Sequence, residues 1–290
     1  SAYHYFGGAA NGRTSLVIEQ SLPPRDAAPA QQVPEVPYRM APFIFVATFM
    51  AQLTGASVGR EGAAIQISGS VTSFVTKPFS LKPSDMRLML IAAIAGAFGG
   101  AFGVPMAGAI FGLEVQQTGR LRYEGLAPAL AASITADFIV EGLGQHTPTI
   151  NIPVDIDWSI ALRLVVVGIA AGLVSRFFIL ALYTTKRVMS DLVSWVPARP
   201  LVGALATLAL MLLCGREYLG LSLPLVNNAL EGIAADWWDP VLKLLFTAIA
   251  LGCSMPGGEV TPLFVIGATL GSTLAGPLNL PVALVAGASL

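Results

Sequence analysis

Two opposite charges, Arg60 and Glu61, stand side by side between Gly59 and Gly62, in a sequence otherwise apolar enough for a bilayer. A carboxylate in hydrocarbon is costly unless it faces a water-filled path or a partner. An intramembrane ionisable residue therefore points to a functional site. The flanking glycines let backbone amides approach a ligand closely. A helix that starts at this point turns the positive end of its dipole toward whatever lies in front of it. Glycine, a carboxylate and a helix N-terminus are together the parts of an anion site with a protonatable gate.

Composition extends this reading to the whole chain. The 290 residues are 54% hydrophobic and 11% charged, against roughly 45–50% and about 25% in soluble domains. The chain thus reads as one integral membrane domain over 1–290, all-α and polytopic, with membrane lipid as its surroundings. The formal net charge is -1 and no basic or acidic block occurs, which argues against nucleic acid as a partner. Cys214 and Cys253 lie in apolar runs without paired spacing and read as packing residues. Ser1–Phe6 has no basic start followed by an apolar core, so no signal peptide is read there. Val282–Ala286 sits in an apolar segment that stops with the sequence, and the chain reads as a piece of a longer one.

Glycine, proline and charge clusters cut the sequence into apolar segments. Helices are expected over about 38–54, 60–76, 85–100, 105–117, 124–142, 157–189, 200–214, 222–232, 239–253 and 259–275, with another from about 281. Several fall short of the roughly 20 residues a full span requires. Short, interrupted segments fit transporters with discontinuous, tilted helices, whose freed backbone lines a cavity. The stretch 21–37 holds five prolines and reads as a surface loop. Gly96 and Gly100, Gly108 and Gly112, and Gly168 and Gly172 are spaced for close helix contacts.

An internal repeat is also visible. Gly59-Arg60-Glu61 opens one run, and Gly257-Gly258-Glu259-Val260-Thr261-Pro262 opens another much later. Gly12-Arg13-Thr14-Ser15 precedes the first, and Gly220-Leu221-Ser222-Leu223-Pro224 precedes the second. Each half, about 1–142 and about 157–290, thus carries a Gly/Ser turn and then a Gly-Glu helix start. Halves of opposite topology would aim four helix N-termini at one midplane site.

Gly59-Arg60-Glu61-Gly62, the stretch Gly103-Val104-Pro105-Met106-Ala107-Gly108 running on to Glu114, and Gly257–Pro262 together resemble the CLC anion channels and transporters. Within that family the chain is most similar to the bacterial fluoride/proton antiporter branch, from Tyr3 to its end. The resemblance implies a multi-pass homodimer of the bacterial inner membrane, with one anion pathway per subunit built from two inverted-topology halves. It implies no enzyme activity, no cofactor and no metal. The transported species are fluoride or chloride, and protons. Glu61 becomes the gating glutamate, and the helices near 105–117 and 124–142 belong to the dimer surface.

The branch rests on particular positions. Chloride/proton antiporters carry a second glutamate after the position of Glu114, where this chain has Val115. Glu259 at the second helix start takes its place as the central proton and anion glutamate, with Thr261 in the anion pathway. A protonated carboxyl is a hydrogen-bond donor, and fluoride is a strong acceptor. Gly12, Arg13, Thr14, Ser15, Gly59, Arg60, Gly62, Ser222, Gly257, Gly258 and Val260 complete the expected anion pathway. The branch commonly has Gly-Asn-Asn-Leu where Gly12-Arg13-Thr14-Ser15-Leu16 stands here, and Ala63 replaces its usual Thr or Pro.

Plainer readings stand beside these. Glu61 could be a helix-end carboxylate neutralised by Arg60, and Glu259 one favoured by the helix dipole alone. Arg60 reads as a structural anchor and Glu114 as a structural carboxylate. Asp137 reads as buried and hydrogen-bonded, and Ser15 and Ser222 as helix caps. Lys243 is expected to snorkel toward an interface. His4 and His146 lie too far apart to suggest a metal. Gly55-Ala56-Ser57-Val58-Gly59 matches the G-x-S-x-G hydrolase pattern, which needs a preceding strand and a histidine base. A chloride-selective antiporter or a passive anion channel of the same family is the nearest alternative function.

Overall fold

A computed structural model of the chain describes residues 13–22, 36–115, 123–145 and 157–290. Among them the regular elements are helices: α1 (Arg13–Ser21), α2 (Met40–Leu53), α3 (Glu61–Thr76), α4 (Pro83–Phe102), α5 (Pro105–Glu114) and α6 (Leu126–Gly142). There follow α7 (Trp158–Leu192), α8 (Arg199–Cys214), α9 (Leu223–Leu230), α10 (Asp239–Gly252), α11 (Val260–Leu278) and α12 (Val282–Ala288). The expected helices from 38 onward are all present. α1 was not expected, because its nine residues are too few and too polar to show a period. It forms because Leu16 and Val17 are buried with Met40, Ile65 and Leu90. Most of the 21–37 loop lies outside the described residues.

Among the described residues, five helical stretches are long and apolar enough to cross a membrane: Pro83–Phe102, Tyr123–Gly142, Trp158–Leu192, Val196–Cys214 and Val260–Leu278. α7 has 35 residues, about 52 Å at 1.5 Å per residue. That exceeds the roughly 30 Å of bilayer hydrocarbon, so α7 tilts or runs past the apolar layer. Its outer surface exposes Leu162, Val165, Val166, Ile169, Leu173 and Phe177. Such an apolar stripe suits lipid and not water. Asp157 caps α7 by accepting the Ile160 N–H at 2.8 Å, and that bond holds its carboxyl below the usual range.

The backbone divides into two compact units, 1–48 with 61–148, and 49–60 with 149–290. In the first, α4 ends on Gly103 in the left-handed region (φ 65°), and its N–H returns to Gly99 O at 2.8 Å. Pro105 then opens α5. Glycine accepts the positive φ, and proline suits a first helical turn whose N–H has no partner. The sharp reversal lays α5 on α4, with Phe98 and Phe111 stacked at 4.2 Å. Where α4, α5 and α6 meet, Gly99, Gly108 and Ser133 fill the junction: a Cβ on Gly108 would lie 2.6 Å from Gly99 N and 2.6 Å from Ser133 Oγ.

Ser133 is fully buried and its hydroxyl has no hydrogen-bond partner among the described residues. Ser133→Ala removes that desolvated hydroxyl without opening a cavity. It is expected to leave stability unchanged or raise it by up to about 1 kcal/mol. Thermal unfolding in detergent measures this, and a marked loss would mean that the hydroxyl is bonded.

In the second unit α7, α10 and α11 share a core of Phe178, Leu182, Leu244 and Ile266. α9 and α12 pack on α11 through Ala229, Ala268 and Ala286. Small residues bring these short helices close: the Ser289 hydroxyl donates to Gly267 O at 2.8 Å. Cys253 is buried and Cys214 half-buried, both as free thiols. Cys253 packs against Gly203, where a Cβ would collide with its side chain.

Candidate functional site

The two glutamate motifs are presented by the same loop, built twice. α2 ends with Gly55 left-handed (φ 73°), Gly55 N–H bonding to Gln52 O and Ala56 N–H to Ala51 O, both at 3.0 Å. α10 ends with Ser254 left-handed (φ 62°), Ser254 N–H bonding to Leu251 O at 3.0 Å and Met255 N–H to Ala250 O at 3.1 Å. Both are Schellman stops. Four residues past each left-handed position stand Gly59 and Gly258, and these bond reciprocally, Gly59 N–H to Gly258 O at 2.6 Å and Gly258 N–H to Gly59 O at 2.7 Å. They form an isolated antiparallel bridge. Gly257 packs on Val58, and any side chain there would strike it.

This backbone register refines the sequence repeat. Gly59 is equivalent to Gly258, so Arg60 is equivalent to Glu259, and Glu61 to Val260. The two glutamates are one position out of step. Their surroundings differ accordingly. Glu61 is the first residue of α3 and only 2% exposed, whereas Arg60 is exposed. Glu259 is exposed at the N-cap of α11, and its side chain makes no capping hydrogen bond. Glu259 is thus not held by a capping bond, while its place at the positive end of α11 keeps the helix-dipole reading open. Thr261, on the first turn of α11, is buried.

The other expected pathway residues fall out as follows. Gly59 is buried, Gly62, Gly258 and Val260 are half-buried, and Gly257 is exposed. Gly12 lies outside the described residues. Arg13, Thr14 and Ser15 form the first turn of α1, described in their backbone only. Ser222 is buried with a positive φ of 54° and does not cap α9 through its side chain. Its hydroxyl donates to Leu219 O at 3.2 Å and accepts from Lys243 Nζ at 2.8 Å. Glu114 is exposed at the C-terminal end of α5, and Asp137 is half-buried, not buried as its sequence context suggested. His4 and His146 lie outside the described residues.

Lys243 corrects the sequence reading most. It does not snorkel. It is 0% exposed and donates to Ser57 Oγ at 2.9 Å, Gly220 O at 2.8 Å, Tyr218 O at 3.2 Å and Ser222 Oγ at 2.8 Å. Snorkelling needs a free path to an interface, and Lys243, fifth of the 14 residues of α10, is enclosed by loops instead. Asp239 one turn earlier accepts from Tyr218 Oη at 2.6 Å and from Asp236 N–H at 2.9 Å. Thr247 one turn later pairs with Ser57 Oγ at 3.0 Å. A polar stripe at four-residue spacing through an apolar helix was the available signal. The same network disposes of the hydrolase pattern, because Ser57 follows a helix and not a strand.

The sequence profile described as voltage gated chloride channel matches residues 4–288. The chain is 37% identical to a chloride/fluoride channel protein of Pseudomonas syringae pv. tomato, over 99% of this chain and 63% of that protein. It is 24% identical to an H+/Cl− exchange transporter of Vibrio parahaemolyticus, over 81% of this chain and 52% of that one. The chain thus spans between half and two thirds of these relatives' length. The crystal structure of a CLC-type fluoride/proton antiporter superposes with a TM-score of 0.89 at 31% identity, covering 98% of this chain and 71% of that one. A slow cyanobacterial Cl−/H+ antiporter superposes with a TM-score of 0.68 at 19% identity, a likeness of fold.

Proposed function

The chain belongs to the voltage-gated chloride channel (CLC) family of membrane proteins, and on that footing we propose that it carries the anion pathway of a fluoride/proton antiporter. The protein works as a homodimer in the lipid of the bacterial inner membrane, each subunit with its own pathway and two inverted halves. The reciprocal bridge between equivalent residues Gly59 and Gly258 supports that inverted arrangement, since residues related by a local two-fold axis pair with each other.

The observation that carries the antiport reading is Glu61, a buried carboxylate at the first turn of α3. When charged, it competes with an anion for the positive end of the helix. An arriving anion displaces it, and protonation releases it from the pathway. Each turnover then exchanges an anion for a proton. Glu259 supplies or receives that proton, using a carboxylate that no capping bond ties down. Val115 stands where chloride exchangers hold their second proton glutamate, which makes Glu259 the candidate for the task. Gly59, Arg60, Gly62, Gly257, Gly258, Val260 and Thr261 shape the pathway around the two carboxylates. Gly12 to Ser15 and Ser222 complete the pathway, the Ser222 hydroxyl being committed to Leu219 and Lys243.

Fluoride is favoured over chloride by Gly257–Pro262, and support comes from the named activities of the Pseudomonas relative and the antiporter of known structure. The test is efflux from liposomes carrying the full-length protein, loaded with fluoride or with chloride. Fluoride should leave faster and bring protons in. Equal rates for the two anions would remove the fluoride assignment, and fluoride efflux without proton uptake would make the protein a channel.

A further inference from the structure

Lys243 is the largest side chain that is wholly buried among the described residues, and neither glutamate motif accounts for it. Its ammonium sits among four oxygens from two loops: Ser57 Oγ from the turn after α2, and Tyr218 O, Gly220 O and Ser222 Oγ from the turn before α9. All four are neutral, and among the described residues no carboxylate comes within ion-pair reach of it. The hydrogen bonds run one way. Carbonyls only accept, and the Ser222 hydrogen is spent on Leu219 O. Ser57 Oγ and Thr247 Oγ1 share a hydrogen at 3.0 Å, and either can be its donor. The two carbonyls and the Ser222 hydroxyl therefore require three N–H donors, which the ammonium form of lysine carries. A neutral amine has only two hydrogens for these three acceptors.

Stability is a poor reason for this arrangement. A buried cation with neutral partners is costly to desolvate, and an apolar side chain of like volume often serves as well or better. What the ammonium does is position. Its Ser57 arm holds the turn 55–59, and Gly220 N–H, bonded to Gly55 O at 3.1 Å, ties the same turn to the second loop. That turn ends in Gly59, whose partner is Gly258. Glu259 is the residue after Gly258, and Glu61 follows Gly59 by two.

We propose that Lys243 is a positioning residue for anion/proton exchange, a fixed buried cation that sets the place of the bridged turns from which both glutamates depart. The proposal rests on the antiporter reading. Loss of the clamp lets the turns wander, so the gate no longer closes behind each anion, and anions pass without their proton.

The experiment measures protons moved per fluoride in liposomes for the full-length wild type, Lys243→Met and Ser57→Ala. Lys243→Met keeps the bulk and removes the charge and donors. It is expected to elute as wild type, to keep fluoride efflux, and to move fewer than half as many protons per fluoride. Ser57→Ala keeps the ammonium and its other three partners and cuts its arm to the turn, together with the Ser57–Thr247 bond. It should lower the ratio in the same direction, and amide hydrogen exchange at Val58 and Gly59 should quicken by about tenfold, the loss of one charge-assisted bond. A folded Lys243→Met with the wild-type ratio overturns the proposal, even where its thermal stability falls, because Lys243 is then a packing group. Where Lys243→Met does not fold, Ser57→Ala decides: a wild-type ratio with wild-type amide exchange overturns it. Wild-type protein that moves fluoride without protons removes the antiporter reading instead, and the proposal with it.

Discussion

Glu61→Gln in the full-length protein is expected to reduce fluoride-coupled proton movement to the level of empty liposomes. The substitution preserves shape and leaves the start of α3 in place, so folding gives no reason for the loss. What goes is the group that can be charged in one half of the cycle and neutral in the other. Glu61 is 2% exposed at the first residue of its helix, where the positive end of the dipole faces it. In the proposed gating cycle a carboxylate serves in both its charged and its neutral form, and glutamine has only the neutral one. Anion leak is compatible with this result, because a neutral gate cannot compete for the anion site. Coupled exchange at the wild-type ratio would count against the gate. Glu259→Gln is the companion measurement: slowed turnover supports its proton role, and a wild-type rate returns it to an exposed helix-end carboxylate.

The second large effect concerns folding. Gly108→Ala adds one carbon where α5 crosses α4, and that carbon would lie 2.6 Å from Gly99 N and 2.7 Å from Gly99 Cα. Both are backbone atoms of another helix, so no rotamer change relieves the overlap. The helices must part, and the small-residue contact that drives their association in a bilayer is lost. Overpacking of this kind costs about 1–3 kcal/mol, occasionally more, and contact with backbone puts Gly108 at or above the top of that range. The expected outcome is a lower unfolding temperature and loss of a monodisperse peak in detergent. A variant as stable as wild type would mean that α4 and α5 are not held at this distance.

Much of the helical layout was legible because glycine and proline act locally. Gly103 and Pro105 stop one helix and start the next through φ and a missing N–H, and neither depends on distant residues. Glu61 was legible for a similar reason: a charge among apolar neighbours is conspicuous wherever it ends up. Lys243 was equally conspicuous and was misread. Its partners stand at Ser57 and at 218–222, far away in sequence, and no local rule brings them to it. α1 escaped because two buried residues, Leu16 and Val17, do not make a period. The repeat was seen but set one residue out of register, since matching letters drew Glu259 onto Glu61 where the backbone pairs Gly59 with Gly258.

The bridge between those two glycines contains no side chain. Whatever passes from one motif to the other by that route is carried by two peptide groups, which fix each other's direction and spacing. A joint built from side chains can be cut by one substitution within it; here the joint is two backbone hydrogen bonds, and side chains such as Ser57 and Lys243 bear only on where the turns stand. Each turn thus serves as the other's foundation, and the chemistry of the two carboxylates is free to diverge while the joint between their turns stays the same.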